Sequence, residues 1–354
     1  MKTVFDYKKD LDTLHFTEQE KAAMADRLLR SAQAHTPPRR RRHPLGRGMA
    51  VAAAAALCLC VVAGAAGVLK APSQVFAPVF GTAETEIIDK IGHPVDASAT
   101  ADGVTVTADA VIGDKYHYAI VYTIAKDDGT AFDADLTPIP ESGVLNLRWQ
   151  SSNTTVGLPV GGHGSSYFFD ADPADNAIQY IEQYSPNKPL SPGGRVKTVF
   201  QDLCPGAPGS EPLAEGKWVL RFAMNFEDAS VALSAGQETS LNGMDVTVDA
   251  VTLSPLALRV DYTVHEEFVW AEQEDGRISE ENAALQDAFL DDLTLRVTMK
   301  DGTVYDLTGS AGGQIDRSQK GVTVCSKDNL LPQVVDLADV ASVTVGDCVI
   351  PVEL

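Results

Sequence analysis

The chain repeats itself, and the repeat constrains its fold more than any other feature. Gly103 to Val111 reads GVTVTADAV and Gly243 to Val251 reads GMDVTVDAV, an offset of 140 residues. At the same offset Tyr122-Thr123 recurs as Tyr262-Thr263, and Ile120 and Ile124 meet Val260 and Val264. One ungapped register held over two separate strands implies two homologous domains, residues 93–232 and 233–354. Val104, Val106 and Ala108 alternate with Thr105, Thr107 and Asp109, the period of a half-buried strand. Ala119 to Ile124 is rich in β-branched and aromatic residues. Asp128-Gly129 and Asp301-Gly302 are tight-turn signals between apolar runs. Further strands are expected at Leu145 to Trp149, Lys217 to Asn225, Leu293 to Met299, Val322 to Cys325 and Ala341 to Val352. The expected fold class is mainly β, with two tandem Ig-like β-sandwich domains that lack the Cys-Trp-Cys pattern of a true immunoglobulin domain. Two stretches interrupt the pattern. Residues 151–200, rich in Gly, Pro and Ser, read as a loop region with a short helix at Ile178 to Tyr184. Ser279 reads as the cap of a helix from Glu280 to Leu290, with Leu285, Phe289 and Leu290 facing inward.

Ahead of the repeat lies an uncharged run, Gly48 to Leu69, directly behind Arg39, Arg40, Arg41, Arg42 and Arg47. Its 22 residues would span roughly 33 Å as a helix, about one hydrocarbon core. Some forty residues precede it, too long a leader for a signal peptide, so it reads as one retained transmembrane helix. The five arginines place the N-terminus in the cytoplasm and the C-terminal domains outside the cell. Residues 1–70 hold 12 basic and 6 acidic side chains; the remainder holds 16 and 43. The net charge of −21 therefore combines a basic inside with a strongly acidic outside. The first suits an anionic membrane surface, and the second argues against nucleic acid as a partner. Ala52, Ala56, Cys60 and Gly64 fall at four-residue intervals, a small-residue ridge on which membrane helices can associate, although an Ala-rich span produces it without selection.

Residues 1–47 form the cytoplasmic segment. Thr17 and Glu20 fit a capping box, and Ala25, Leu28, Leu29 and Ala32 follow at helical spacing. One short helix cannot bury that stripe alone, so it either docks on a partner protein or lies as a tail on the lipid surface. Residues 70–92 are a juxtamembrane linker. Pro72 and Pro78 are expected to keep its start extended, Phe76, Val79 and Phe80 to meet the membrane interface or the first domain, and Glu84 to Ile91 to form a short amphipathic helix.

The residues that would carry chemistry are sparse. His163 stands in GGHGSS beside Ser165 and Ser166, without a G-x-S-x-G elbow, and reads as a flexible surface loop. Asp170 to Asp175 resembles the start of a calcium loop, but Asp175 stands where its glycine belongs and Ile181 where its glutamate belongs. His93, His117, His163 and His265 show no zinc-ligand spacing. The acidic segment Glu266 to Glu281, with Trp270 inside it, reads as a solvated loop. Cys325 and Cys348 are the candidates for one disulfide, with buried free thiols the alternative; Cys58 and Cys60 sit in the span. No catalytic, metal or cofactor residue is assigned, and the expectation is a non-enzymatic protein.

The helix FTEQEKAAMADRLL at Phe16 to Leu29, the span, and GVTVTADAVIGDKYHYAIVYTI at Gly103 to Ile124 together resemble uncharacterised single-pass envelope proteins of Gram-positive bacteria. These carry an extracellular domain of unknown function and are regarded as anti-sigma-factor-like. The resemblance covers most of residues 1–135. It implies a membrane-tethered signalling regulator with a cytoplasmic sigma factor and an extracellular protein or cell-wall ligand as partners. Residues 1–45 hold no cysteine, so the His/Cys zinc motif of one anti-sigma class is absent. The alternative expectation is a structural or adhesive envelope protein with a passive anchor.

Overall fold

The computed structural model describes residues 70–157, 161–270, 278–290, 292–309 and 312–354, all within one compact unit spanning residues 60–354. The cytoplasmic stripe (Ala25, Leu28, Leu29, Ala32), the arginines (Arg39, Arg40, Arg41, Arg42, Arg47) and the span with Ala52, Ala56, Cys60 and Gly64 lie outside the described residues. Among the described residues no helix is long and apolar enough to cross a membrane.

The described chain is mainly β. The first repeat builds an antiparallel sheet from β1 (Gly92–Ala101), β2 (Val104–Gly113), β3 (Tyr118–Lys126), β6 (Ile178–Pro186) and β5 (Gly162–Phe169), in that order. A second sheet, β4 (Leu147–Val156), β7 (Gly194–Pro205) and β8 (Ala214–Met224), faces it. The core between them joins Val106, Ile120, Tyr122 and Ile178 to Trp149, Phe200 and Trp218.

The second repeat builds its larger sheet from β10 (Glu238–Leu241), β11 (Met244–Leu253), β12 (Ala257–Val264), β16 (Thr323–Leu330) and β15 (Gly312–Asp316), with β9 (Val231–Leu233) also paired to β11. Its companion is β14 (Val304–Asp306), β13 (Leu295–Met299), β17 (Val340–Val345) and β18 (Cys348–Pro351).

The repeat is visible in the hydrogen-bond register. Val106 pairs with Ile124 and Val246 with Val264; Val111 pairs with Ile120 and Val251 with Val260. Both hairpins bulge at the same place, between Ala108 and Ala110 and between Val248 and Ala250. The bulged residue is Asp109 in one copy and Asp249 in the other. Each accepts a hydrogen bond from the facing threonine, Thr123 at 2.6 Å and Thr263 at 2.7 Å. The bulge bends the strand, and the aspartate fixes it.

Several expectations need correction. Residues 151–200 are not a loop region; they hold most of β4, all of β5 and β6, and the start of β7. Ile178 to Tyr184 is strand and not helix, since β6 is buried on both faces at Ile178, Gln179, Tyr180 and Ile181 and shows no alternation to read. His163 is held in β5 and not in a flexible loop.

Residues 70–92 open with α1 (Pro72–Phe80), not an extended segment. Pro72 stands in its first turn, where a missing N–H costs nothing, and Pro78 sits close to its end. With α2 (Thr85–Ile91) it buries Phe76, Phe80, Ile88 and Ile91 against Ala110, Ile112, Ala119 and Val121 of the first sheet. The helix capped by Ser279 is present as α3 (Glu280–Phe289), the Ser279 side chain accepting from the Asn282 N–H at 3.2 Å. Asp301-Gly302 makes a hairpin between β13 and β14, whereas Asp128-Gly129 turns the chain out of β3 without returning it. Cys204, Cys325 and Cys348 are free thiols.

Candidate functional site: a buried ionic seam and a polar cleft

Two hairpin turns related by the repeat meet face to face. The β2–β3 turn runs from Asp114 to His117 and the β11–β12 turn from Ser254 to Ala257. Each closes with the same backbone bond, Asp114 N–H to His117 C=O and Ser254 N–H to Ala257 C=O, both 2.9 Å. Each first residue braces its turn by accepting two backbone N–H bonds. Asp114 Oδ1 takes those of Tyr116 and His117, both at 2.7 Å. Ser254 Oγ takes those of Leu256 at 3.1 Å and Ala257 at 3.0 Å. These are the local side-chain turns that Asp and Ser favour. The two initiators then bond to each other, Ser254 Oγ donating to Asp114 Oδ2 at 2.5 Å.

From this point a chain of charges runs into the second repeat. His117 Nδ1 lies 3.0 Å from Asp114 Oδ1 and its Nε2 lies 3.2 Å from Asp328 Oδ1. Both ring nitrogens face carboxylates, an arrangement that only the doubly protonated imidazolium satisfies. Asp328 Oδ1 also meets His163 Nε2 at 3.1 Å, and its Oδ2 accepts from Arg259 Nη1 at 3.2 Å. Arg259 reaches on to Asp261 at 2.8 Å, and its guanidinium sits 4.3 Å above the Tyr116 ring of the other repeat. His117, Asp114, Asp328 and Arg259 are buried. Gly312 of β15 lies so close to His163 that a Cβ there would overlap the ring.

Burial opposes charge on these groups, and the partners overcome it. Desolvation pulls His117 down, but Asp114 and then Asp328 hold it up at about 9. Desolvation pushes Asp114 and Asp328 up, yet their histidine partners, with Ser254 and the Tyr116 N–H at Asp114, leave both below the usual carboxylate range. The sign of the pH dependence follows from the histidine. Its folded pKa is raised, so its stabilisation is fully present below pH ~6.5 and is lost as pH rises to about 9. Urea midpoints at intervals from pH 6.5 to 9.5 should fall steadily, and His117→Ala should flatten that slope. An equal slope in the variant would mean that another group titrates.

The Ser254 hydroxyl is buried and donates to a carboxylate, not to an imidazole. His163 is backed by Asp328, and its Nδ1 has no hydrogen-bond partner among the described residues. No group of three or more His, Cys, Asp or Glu among the described residues is placed to hold a metal ion. Asp170 does not gather ligands; with Asp172 and Asp175 it caps successive turn N–H groups at about 3 Å. His93 lies in β1, paired with Val111 of β2, and His265 lies apart, 2.7 Å from Thr247 Oγ1.

Beside the seam a cleft of about 480 Å3 opens between edge strand β4 and strands β5 and β6. Tyr118, Thr154, Ser166, Tyr180, Glu182 and Tyr184 are among its walls. Glu182 Oε2 accepts from Thr154 Oγ1 at 2.6 Å and Tyr122 OH at 3.0 Å. Burial raises the Glu182 carboxyl above its ordinary value, against those two hydrogen bonds. Of the seam, sequence reasoning named only His163 and His117, neither with a partner; the D-x-x-H of Asp114 to His117, matched 140 residues on by a second turn initiator, was the available signal.

No family model and no curated protein matches the chain. Among solved structures it is similar to the crystal structure of a conserved domain protein from Bacillus anthracis, at 14% identity and a TM-score of 0.46, over 71% of this chain and 75% of that one.

Proposed function

We propose that the chain is a single-pass envelope protein whose β region is a non-enzymatic sensing or interaction body outside the cell, in the manner of an anti-sigma-factor-like regulator. Each facing pair of sheets is read as an immunoglobulin-like sandwich, one per repeat, with the boundary near residue 232. Gly48 to Leu69 is the membrane span, and the stripe of Ala25, Leu28, Leu29 and Ala32 holds the cytoplasmic partner.

One observation carries the non-enzymatic part. The buried ionisable groups of the two repeats bind one another across the Asp114–His117–Asp328–Arg259 seam, so they are committed to joining the repeats. A seam of this kind makes two repeats behave as a single stiff body. Such a body suits passing a binding event to a membrane anchor better than turning over a substrate.

Topology is the test. Thr3→Cys and Asp301→Cys, each in a background where Cys348 is alanine, are treated on intact cells with a membrane-impermeant maleimide. Asp301 lies at an exposed turn. The reading expects labelling at 301 and protection at 3 until the cells are lysed. Protection at 301 on intact cells would overturn it.

A further inference from the structure

The polar cleft of the first repeat has a counterpart in the second, and the two differ in what fills them. Ile120 pairs with Glu182 as Val260 pairs with Lys327, and Tyr122 pairs with Tyr180 as Tyr262 pairs with Cys325. Ser166 is the edge neighbour of Glu182, as Gly313 is of Lys327. In the second repeat this slot is occupied by the chain itself. Tyr262 OH donates to the Phe289 carbonyl at 2.5 Å, at the end of α3. Leu290 packs so closely on Gly313 that a Cβ there would meet its methyl groups at 2.9 Å. Lys327 Nζ donates to the carbonyls of Leu293 and Thr308.

Among the described residues of the first repeat no helix fills this slot. Tyr122 OH turns to Glu182 and Thr198, and an aromatic ring, Tyr180, stands where Cys325 does. The Tyr180 hydroxyl lies beside Ser152 and Ser166. Both hydrogen bonds to Glu182 fall on Oε2, which leaves Oε1 for an incoming donor.

We propose that this cleft binds a neutral saccharide. Its volume of about 480 Å3 lies in the usual range for small-ligand sites. Half-buried Tyr184 supplies an aromatic wall for the C–H surface of a sugar ring, and Ser152, Thr154, Ser165, Ser166 and Gln183 offer paired donors and acceptors. Among the described residues no lysine or arginine lines it, which disfavours phosphate or carboxylate ligands. Its single carboxylate is an acceptor for ligand hydroxyls and too few for a metal cage. The inference deepens the reading of the β region as an interaction body and rests on it for where the ligand is met.

The test uses the purified full chain in detergent, with cellobiose and N,N′-diacetylchitobiose as probes and glucose 6-phosphate as the charged control, read by saturation-transfer NMR and calorimetric titration. The expected result is saturable binding of at least one neutral disaccharide in preference to the phosphate. Glu182→Gln should weaken it at least tenfold, and Ser166→Trp, which plugs the cleft from an exposed position, should abolish it. An unchanged far-UV circular dichroism spectrum confirms that each variant is folded. No saturable binding of either disaccharide, or binding that survives both substitutions, overturns the proposal. Cell-surface labelling decides location independently, so the two readings fail separately.

Discussion

Replacing Asp328 with alanine is expected to cost about 3–5 kcal/mol of folding stability, the range for breaking a buried ion pair by removing one partner. Asp328 is the acceptor on which three cationic or ring groups converge: His117, His163 and Arg259. Its loss leaves the buried Arg259 guanidinium with Asp261 as its remaining carboxylate, its Nε already having no partner among the described residues, and removes one of the two carboxylates that hold His117 charged. Asp328→Asn keeps the volume but turns an amide nitrogen or a neutral oxygen toward each cation, so it should recover only part of the loss. Urea unfolding followed by tryptophan fluorescence measures both variants. A cost under about 1 kcal/mol for the alanine variant would place the seam with exposed pairs, which contribute little.

The second large effect belongs to Trp218. Its side chain is fully buried, with the ring 5.6 Å from that of Trp149 and the indole Nε1 donating to the Val104 carbonyl at 2.9 Å. Trp149 in turn stacks on Phe200 at 4.6 Å, so one substitution opens the centre of an aromatic cluster that joins both sheets. Trp218→Ala should cost about 3–5 kcal/mol through the cavity. Losing the indole hydrogen bond to the Val104 carbonyl adds about 0.5–1.5 kcal/mol. Trp218→Phe refills much of the space without the donor and should show mainly the second loss. Far-UV circular dichroism during urea unfolding is the readout, since it does not depend on the residue replaced. Equal costs for the two variants would assign the effect to the hydrogen bond and not to packing.

The β class and the repeat were legible because the two hairpins keep their alternation and their bulge. Asp109 and Asp249 stand at the same point of the two strands and accept a hydrogen bond from the equivalent facing threonine. The stretch from 151 to 200 was illegible for a physical reason. Strand β4 is a sheet edge, largely exposed over Gln150 to Asn153, so it shows no hydrophobic period, and its serines and threonines look like loop. Strand β6 failed in the opposite way, with both faces buried over its first four residues and Ile178 and Ile181 mimicking helical spacing. In the segment before β1, prolines were read as helix breakers although a first-turn position accepts one.

The seam lay beyond sequence reasoning because its members come from turns and strands far apart in the chain. His117 and Asp328 are separated by 211 residues, and nothing local to either announces the other. The short-range half was readable: Asp114 and Ser254 are turn initiators at one repeat offset. That the repeat brings equivalent turns together, tip against tip, required the fold. The cleft was hidden likewise. It exists because β4, expected as strand only as far as Trp149, and β5, not expected as strand, part at the open edge of the two sheets.

A seam that joins the two repeats into one mechanical body should make them unfold together. Differential scanning calorimetry of the full chain at pH 7 tests it most directly, with the wild type compared against His117→Ala. The account predicts one transition for the β region in the wild type, with calorimetric and van't Hoff enthalpies in agreement. In the variant it predicts a lower midpoint or two resolved steps. Two independent transitions already present in the wild type, with midpoints untouched by His117→Ala, would contradict it.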